Sequence, residues 1–170
     1  MIKLLEPSIN NLYYRIKWLN DKETMAYNKG LDLNIKGYSK EEGTILMTEE
    51  ESILWYHKWI NRTDRYYAYI YALDKIVGEA YYYLEDQKYV VGILIQNKYR
   101  GMGYGYLALK ELISVAHDNG INCLYDYIPE DRVDVIKLFK RVGFTETNEV
   151  IKEKYFDKER IVKELIYKKR

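Results

Sequence analysis

The stretch "NKYRGMGYGYLALKEL" (residues 97–112) places Gly101, Gly103 and Gly105 within five positions and then turns strongly helical. The chain has only ten glycines, so this is a concentration. It follows the apolar run "KYVVGILIQ" (88–96), which reads as a strand. Strand, glycine loop and helix N-terminus in that order can hold an anion with backbone alone. The first amides of a helix have no partner within it and carry partial positive charge. They hold phosphate when the backbone can approach closely, and glycine removes the side chains that would block the approach. A tight turn into a helix is the plainer reading of the same residues.

Two common phosphate motifs do not fit. No Lys-Ser or Lys-Thr follows the glycines, so this is not a Walker P-loop. Gly103, Gly105 and Ala108 have dinucleotide-fingerprint spacing, but that fingerprint opens a parallel βαβ unit. Here the preceding segments read as hairpins. "RYYAYIYAL" (65–73), "IVGEAYYYL" (76–84) and the 88–96 run are rich in aromatic and β-branched residues, separated only by "DK" and "EDQ". That spacing predicts a three-strand antiparallel meander.

Working outward, "IKLL" (2–5) predicts a short strand closed by Pro7, and Ser8 a helix cap before a helix over 9–20. Residues 20–28 read as a second short helix, and 29–47 as mostly loop. "TEEES" (48–52) matches a capping box, with Ile53, Tyr56 and Ile60 on one face of the helix it opens. After the glycines, Leu109, Leu112, Ile113 and Ala116 mark the buried face of a helix over 104–118, stopped at Asn119-Gly120. "NCLYDYI" (122–128) reads as a strand. Pro129 and Asp131 open a helix with Val135, Leu138, Phe139 and Val142 on one face, ended by Gly143. The tail reads as two strands joined near Asp157. No repeat or linker interrupts the 170 residues, so a single domain is expected.

The totals narrow the function. A net charge of +1 lacks the basic excess of a nucleic-acid binder. One cysteine, Cys123, permits no internal disulfide and fits a reducing cytosol, so a cytoplasmic location is expected. No segment suits a signal peptide or a membrane span. Two histidines and one cysteine make no metal-ligand set.

The residues "RGMGYG" (Arg100-x-x-Gly103-x-Gly105) resemble the phosphate loop of the GNAT acetyl-CoA-dependent N-acetyltransferases. "VIKLFKRVGF" (135–144) is similar to that family's helix ending in Gly-Phe. "KWLNDKETMAY" (17–27) and "EKYFDKERIVKELIYK" (153–168) resemble the subgroup containing ribosomal-protein and polyamine acetyltransferases. The resemblance implies an α+β fold: a mostly antiparallel twisted sheet of about seven strands, flanked by helices, with one splayed strand pair. It implies acetyl-CoA as co-substrate, without metal, and an amine acceptor: a polyamine, an amino sugar or a protein N-terminus. A CoA-binding module with little catalysis is the alternative. A monomer or homodimer is expected.

The same resemblance implies the site. The coenzyme's pyrophosphate would lie on Arg100, Gly101, Met102, Gly103, Tyr104 and Gly105, with the Met102 and Tyr104 side chains turned away. Arg100 either pairs with a phosphate or braces the loop. The pantetheine arm would meet the strand edge at Leu94, Ile95 and Gln96. Arg132 and Phe139, expected as coenzyme contacts, align with a common Asn and with a Tyr that donates to the leaving sulfur, and a phenyl ring cannot donate. For the remaining chemistry, Tyr127 is a candidate acid, and Glu79 and Asp126 are candidate bases. Strand alternation puts Glu79 on the face of Val77 and Tyr81. Trp18, Tyr27, Trp55 and Tyr155 are candidates for lining the acceptor cleft.

Overall fold

A computed structural model describes residues 1–170. The strands are β1 (Ile2–Leu5), β2 (Arg65–Ala72), β3 (Lys75–Glu85), β4 (Lys88–Ile95), β5 (Cys123–Pro129), β6 (Thr145–Tyr155) and β7 (Lys158–Lys168). The helices are α1 (Tyr13–Leu19), α2 (Glu49–Trp59), α3 (Tyr104–Asp118) and α4 (Val133–Val142). The strands form one sheet in the order β1-β2-β3-β4-β5-β7-β6. Every neighbouring pair is antiparallel except β4 and β5, which run parallel and are joined only through Val90 and Tyr125. This is the expected α+β architecture, with seven strands.

Local chemistry sets each element. The β2–β3 and β3–β4 hairpins turn on two-residue loops, Leu73-Asp74 and Asp86-Gln87, all four residues with positive φ. Such loops match the twist of the strands they join. The first turn thus lies one residue earlier than the expected "DK". The capping box of α2 is complete: Glu51 N–H donates to Thr48 Oγ1 at 3.1 Å, and Thr48 N–H to Glu51 Oε2 at 2.9 Å. The packed stripe of α2 is Ser52, Trp55 and Trp59, continued by the expected Ile60 at its C-cap, while Ile53 and Tyr56 do not join it. The indoles settle it, because they find the Tyr67 ring at 4.6 and 6.2 Å between centroids. No α-helix forms over 20–28, only a 3-10 turn at Ala26–Asn28. The helix expected over 9–20 divides into a 3-10 turn at Ile9–Asn11 and α1. Pro129 ends β5, and α4 begins four residues later.

Two cores sit on opposite faces of the sheet. Helices α3 and α4 cover the larger, where Leu109, Leu112, Leu124, Phe139, Phe144 and Leu165 are buried. Helices α1 and α2 cover the smaller, built from Trp18, Leu19, Met25, Tyr67, Tyr69 and Leu94. Tyrosine is abundant partly because this second core is aromatic. Trp18 packs edge-on to Tyr69 at 5.6 Å and Trp59 edge-on to Tyr81 at 5.6 Å, the arrangement that ring quadrupoles favour.

A register shift between Ile70 and Tyr71 corrects one expectation. Ile70 pairs with Gly78 and Tyr71 with Ile76, which leaves Val77 as an extra residue on β3. Such a bulge reverses the facing of side chains beyond it. Val77 therefore joins the α3 side while Glu79 stays with Tyr67 on the other.

Candidate active site

Beyond the Val90–Tyr125 link, β4 and β5 diverge, and a cavity of about 600 Å³ opens between them. Its walls come from Val91 to Ile95 on β4 and Asp126 to Pro129 on β5. At its far end lies the glycine loop, and across it stand Tyr27, Arg132, Glu153 and Arg160. The Gln96 N–H donates to Val77 O at 2.9 Å, so even-numbered residues at this end of β4 turn their amides toward β3. Alternation leaves Ile93 and Ile95 facing the gap. The Ile95 carbonyl is taken by Arg100 Nε at 3.0 Å. The Ile93 and Ile95 N–H groups and the Ile93 carbonyl remain for a ligand. Leu94 and Gln96, named with Ile95 as the pairing edge, turn their backbone groups the other way.

Arg100 braces the loop. Its Nη2 donates to the Thr24 carbonyl at 2.6 Å, in addition to the bond to Ile95. Thr24 Oγ1 in turn accepts from the Asn97 N–H at 3.0 Å, and Thr24 is fully buried. The segment before the glycines is thus tied to the α1–α2 connection. Gly101 and Gly103 have φ of +77° and +82°, and a Cβ on either would meet nothing within 4 Å. Left-handed backbone and open space together give a cradle that only glycine forms without strain. Gly103 is the N-cap of α3. The space, the free amides and the strand gap fit the phosphates and amide-bearing arm of the coenzyme that the resemblance implies. Met102 is exposed and absent from the cavity wall, whereas Tyr104 and Gly105 line it.

Asp126 occupies the first position of β5 past the last link to β4, at the closed end of the gap. Burial pushes its carboxyl up to about 7, against the pull of the Tyr127 N–H and of Arg132. It accepts that N–H at 2.8 Å and forms no ion pair. Such a carboxyl is poised to exchange a proton near neutrality.

Glu79 lies elsewhere. It is 5% exposed, accepts a hydrogen bond from the Tyr67 hydroxyl, and has Arg15 Nε at 3.8 Å. Burial raises its pKa, while Arg15 and Tyr67 lower it. Arg15 itself lies over the Trp55 ring at 4.1 Å. Glu79 is therefore a buried partner of Arg15 in the second core, outside the cavity wall. Tyr127 contributes to the wall, but its hydroxyl donates to Glu164 Oε2 at 3.0 Å, where Lys88 Nζ also binds at 2.6 Å.

Of the four acceptor candidates, Tyr27 alone lines the cavity. Trp18 is 1% exposed within the second core, and Trp55 packs on Tyr67 and Arg15. Tyr155 sits beside the cleft, under Arg160 at 4.3 Å. Phe139 is 3% exposed, reaches the wall and packs on Phe144 at 4.9 Å. Arg132 caps α4 and lines the cleft.

Among the lining residues that sequence reasoning missed are Tyr81, Glu153 and Arg160. Tyr81 lies across Gly92, where a Cβ would come 2.5 Å from the tyrosine hydroxyl. Its signal was the Tyr81–Gly92 cross-strand pair, visible once the Asp86-Gln87 turn sets the register. Glu153 and Arg160 are a cross-strand pair about the Phe156-Asp157 turn, joined at 2.8 Å.

Comparison with known proteins agrees with this geometry. No protein of curated function matches the sequence significantly. Among solved structures, an acetyltransferase of the GNAT family from Streptococcus pneumoniae superimposes with a TM-score of 0.73 at 19% identity, covering 100% of both chains. Spermidine N-acetyltransferase from Vibrio cholerae, solved with CoA and spermine, gives 0.78 at 14% identity, covering 99% of this chain and 95% of the other. Ribosomal-protein-alanine N-acetyltransferase from Brucella melitensis gives 0.74 at 18%, covering 99% of each. At these identities the likeness is one of fold. The model of the acetyltransferase (GNAT) family matches residues 31–144, well over half of the sequence; with the parted strands and glycine loop already described, the chain belongs to that family.

Proposed function

We propose that this chain is an acetyl-CoA-dependent N-acetyltransferase that acetylates a primary amine by direct attack on the thioester. The observation that carries this is the gap between β4 and β5, with the glycine cradle at one end and Asp126 at the other. Acetyl-CoA supplies an activated acetyl group, whose C–S bond breaks as the new C–N bond forms.

The chain's residues do the rest. Amides of the 101–105 loop hold phosphate, and the Ile93 and Ile95 amides are donors for the arm and for a carbonyl oxygen that gains charge. Asp126 takes the proton of an ammonium whose unperturbed pKa is about 10.4. A base of pKa about 7 is well matched to this at neutral pH. Phe139 has no proton to give the departing sulfur. Among the tyrosines that line the cleft, Tyr81, whose hydroxyl lies over Gly92 where β4 and β5 part, is the one assigned to supply it.

The test is thiol release from acetyl-CoA across a panel of small amines and peptide N-termini, with acetyl-CoA affinity measured separately. Turnover that depends on an amine supports the proposal. Tight binding with no transfer to any amine replaces it with a coenzyme-binding module.

A further inference from the structure

Two opposite charges face the cavity without pairing. Asp126 has one hydrogen-bond donor, the Tyr127 N–H, and no ion-pair partner. The Arg132 guanidinium has neither a hydrogen bond nor an ion pair, and its neighbour is the Tyr27 ring, 5.3 Å from Cζ. The two groups are near enough to favour each other's charged forms. Burial disfavours the charge on Arg132, and so do Arg100 and Arg160. A guanidinium presents five donors in a planar fork matched to a carboxylate. Half-buried and without an acceptor in the protein, its fork is free to meet one on a ligand.

The other two arginines of the cavity are already engaged. Arg100 donates to the Ile95 and Thr24 carbonyls, and Arg160 to Glu153. Phosphate has its own seat at the glycine loop. Arg132 shares its surroundings with the carboxyl that takes the acceptor's proton. Beside Tyr27, the connection from α1 to α2 clasps the β6–β7 turn. Leu31 bridges Tyr155, and the Phe156 N–H donates to the Gly30 carbonyl at 2.8 Å. This clasp joins the α1–α2 connection to the β6–β7 turn beside the cavity.

The geometry points to an acceptor that carries a carboxylate beside its amine: a small amino acid, its ammonium at Asp126 and its carboxylate at Arg132. This rests on the acetyl-transfer reading and names its acceptor class. Polyamines, cationic throughout, would set a second positive charge against Arg132.

The experiment compares matched pairs, each an α-amino acid and its decarboxylated amine, as acceptors for the wild-type protein and for Arg132→Met. Acetyl-CoA affinity is measured calorimetrically for both. The wild type should favour the amino acid in kcat/KM by about 10- to 100-fold, the worth of one charged hydrogen-bond pair. Arg132→Met should lose most of that preference while binding acetyl-CoA within about threefold of wild type, roughly 0.7 kcal/mol. A wild-type preference for decarboxylated amines or polyamines overturns the inference, whether or not the variant folds. So does a variant that loses acetyl-CoA affinity and keeps the acceptor preference, because Arg132 then serves the coenzyme. If acetyl-CoA binds but no amine is acetylated, the transfer reading fails. Thermal shifts with amino acids and decarboxylated amines in the presence of CoA then decide the inference: stabilisation by the amino acid alone upholds the pocket, and its absence overturns it.

Discussion

At the scale of single residues, two carboxyls of the sheet, Asp126 in the cleft wall and Glu79 in the second core, have opposite assignments, and pH separates them. Asp126 lines the cleft with its carboxyl near 7, so kcat/KM should rise with pH through a step at about 7. Asp126→Asn should remove that step and lower kcat/KM by roughly 10²- to 10⁴-fold, the usual worth of a positioned base. Glu79→Gln should leave the step in place, since Glu79 faces Arg15 and Tyr67 rather than the cavity. The same shift predicts a stability effect. Between pH 3.8 and about 7 the folded Asp126 holds a proton that the unfolded chain has released. Stability is therefore lost as pH rises through this window. Asp126→Asn should melt higher than wild type at pH 8, with the difference shrinking at pH 4. Thermal melts across pH check this. A wild-type advantage at pH 8 would remove Asp126 as a strained, desolvated acid.

At the scale of elements, the glycine loop was legible because its requirement is local. Positive φ at Gly101 and Gly103 and the α3 start behind them need no distant contact to be specified. Gly103→Val should cost about 1–2 kcal/mol of stability through its left-handed backbone. It should also weaken acetyl-CoA by about tenfold or more, roughly 1.4 kcal/mol, because the branched side chain enters the open space. Calorimetric titration beside a denaturant melt reads the two effects apart. Unchanged affinity in a folded variant would remove the loop from coenzyme binding. The capping box of α2 and the helical face of α3 were legible for the same local reason. The α2 stripe was not, because 52/55/59 and 53/56/60 are spaced alike along a helix, and only Tyr67 of β2, which meets Trp55 and Trp59, decides which face turns to the sheet. The bulge at Val77 was equally hidden, since it is a mismatch between two strands and belongs to neither.

At the scale of the molecule, the cleft depends on a clasp between two distant parts of the chain. A Cβ on Gly30 would come 2.5 Å from the Phe156 ring, and its φ is +78°. Gly30→Ala should displace the β6–β7 turn and cost about 1–3 kcal/mol. The acceptor's KM should rise severalfold while acetyl-CoA affinity stays near wild type, because the glycine loop is braced separately by Arg100 and Thr24. Steady-state kinetics with each substrate varied in turn would show the split, and equal losses for both would mean that the clasp supports the whole cleft. Local order alone determined much of this protein: the meander, the glycine-fronted helix, the Gly-Phe helix and the closing hairpin follow from alternation, capping and turn chemistry written into consecutive residues. Tertiary structure decided which polar groups share the cleft. It buried Glu79 and Trp18, turned the Tyr127 hydroxyl to Glu164, and gathered Asp126, Arg132, Tyr81 and Tyr27 around one cavity. A side chain's surroundings depend on which strands meet and in what register, and those meetings join residues far apart in the chain.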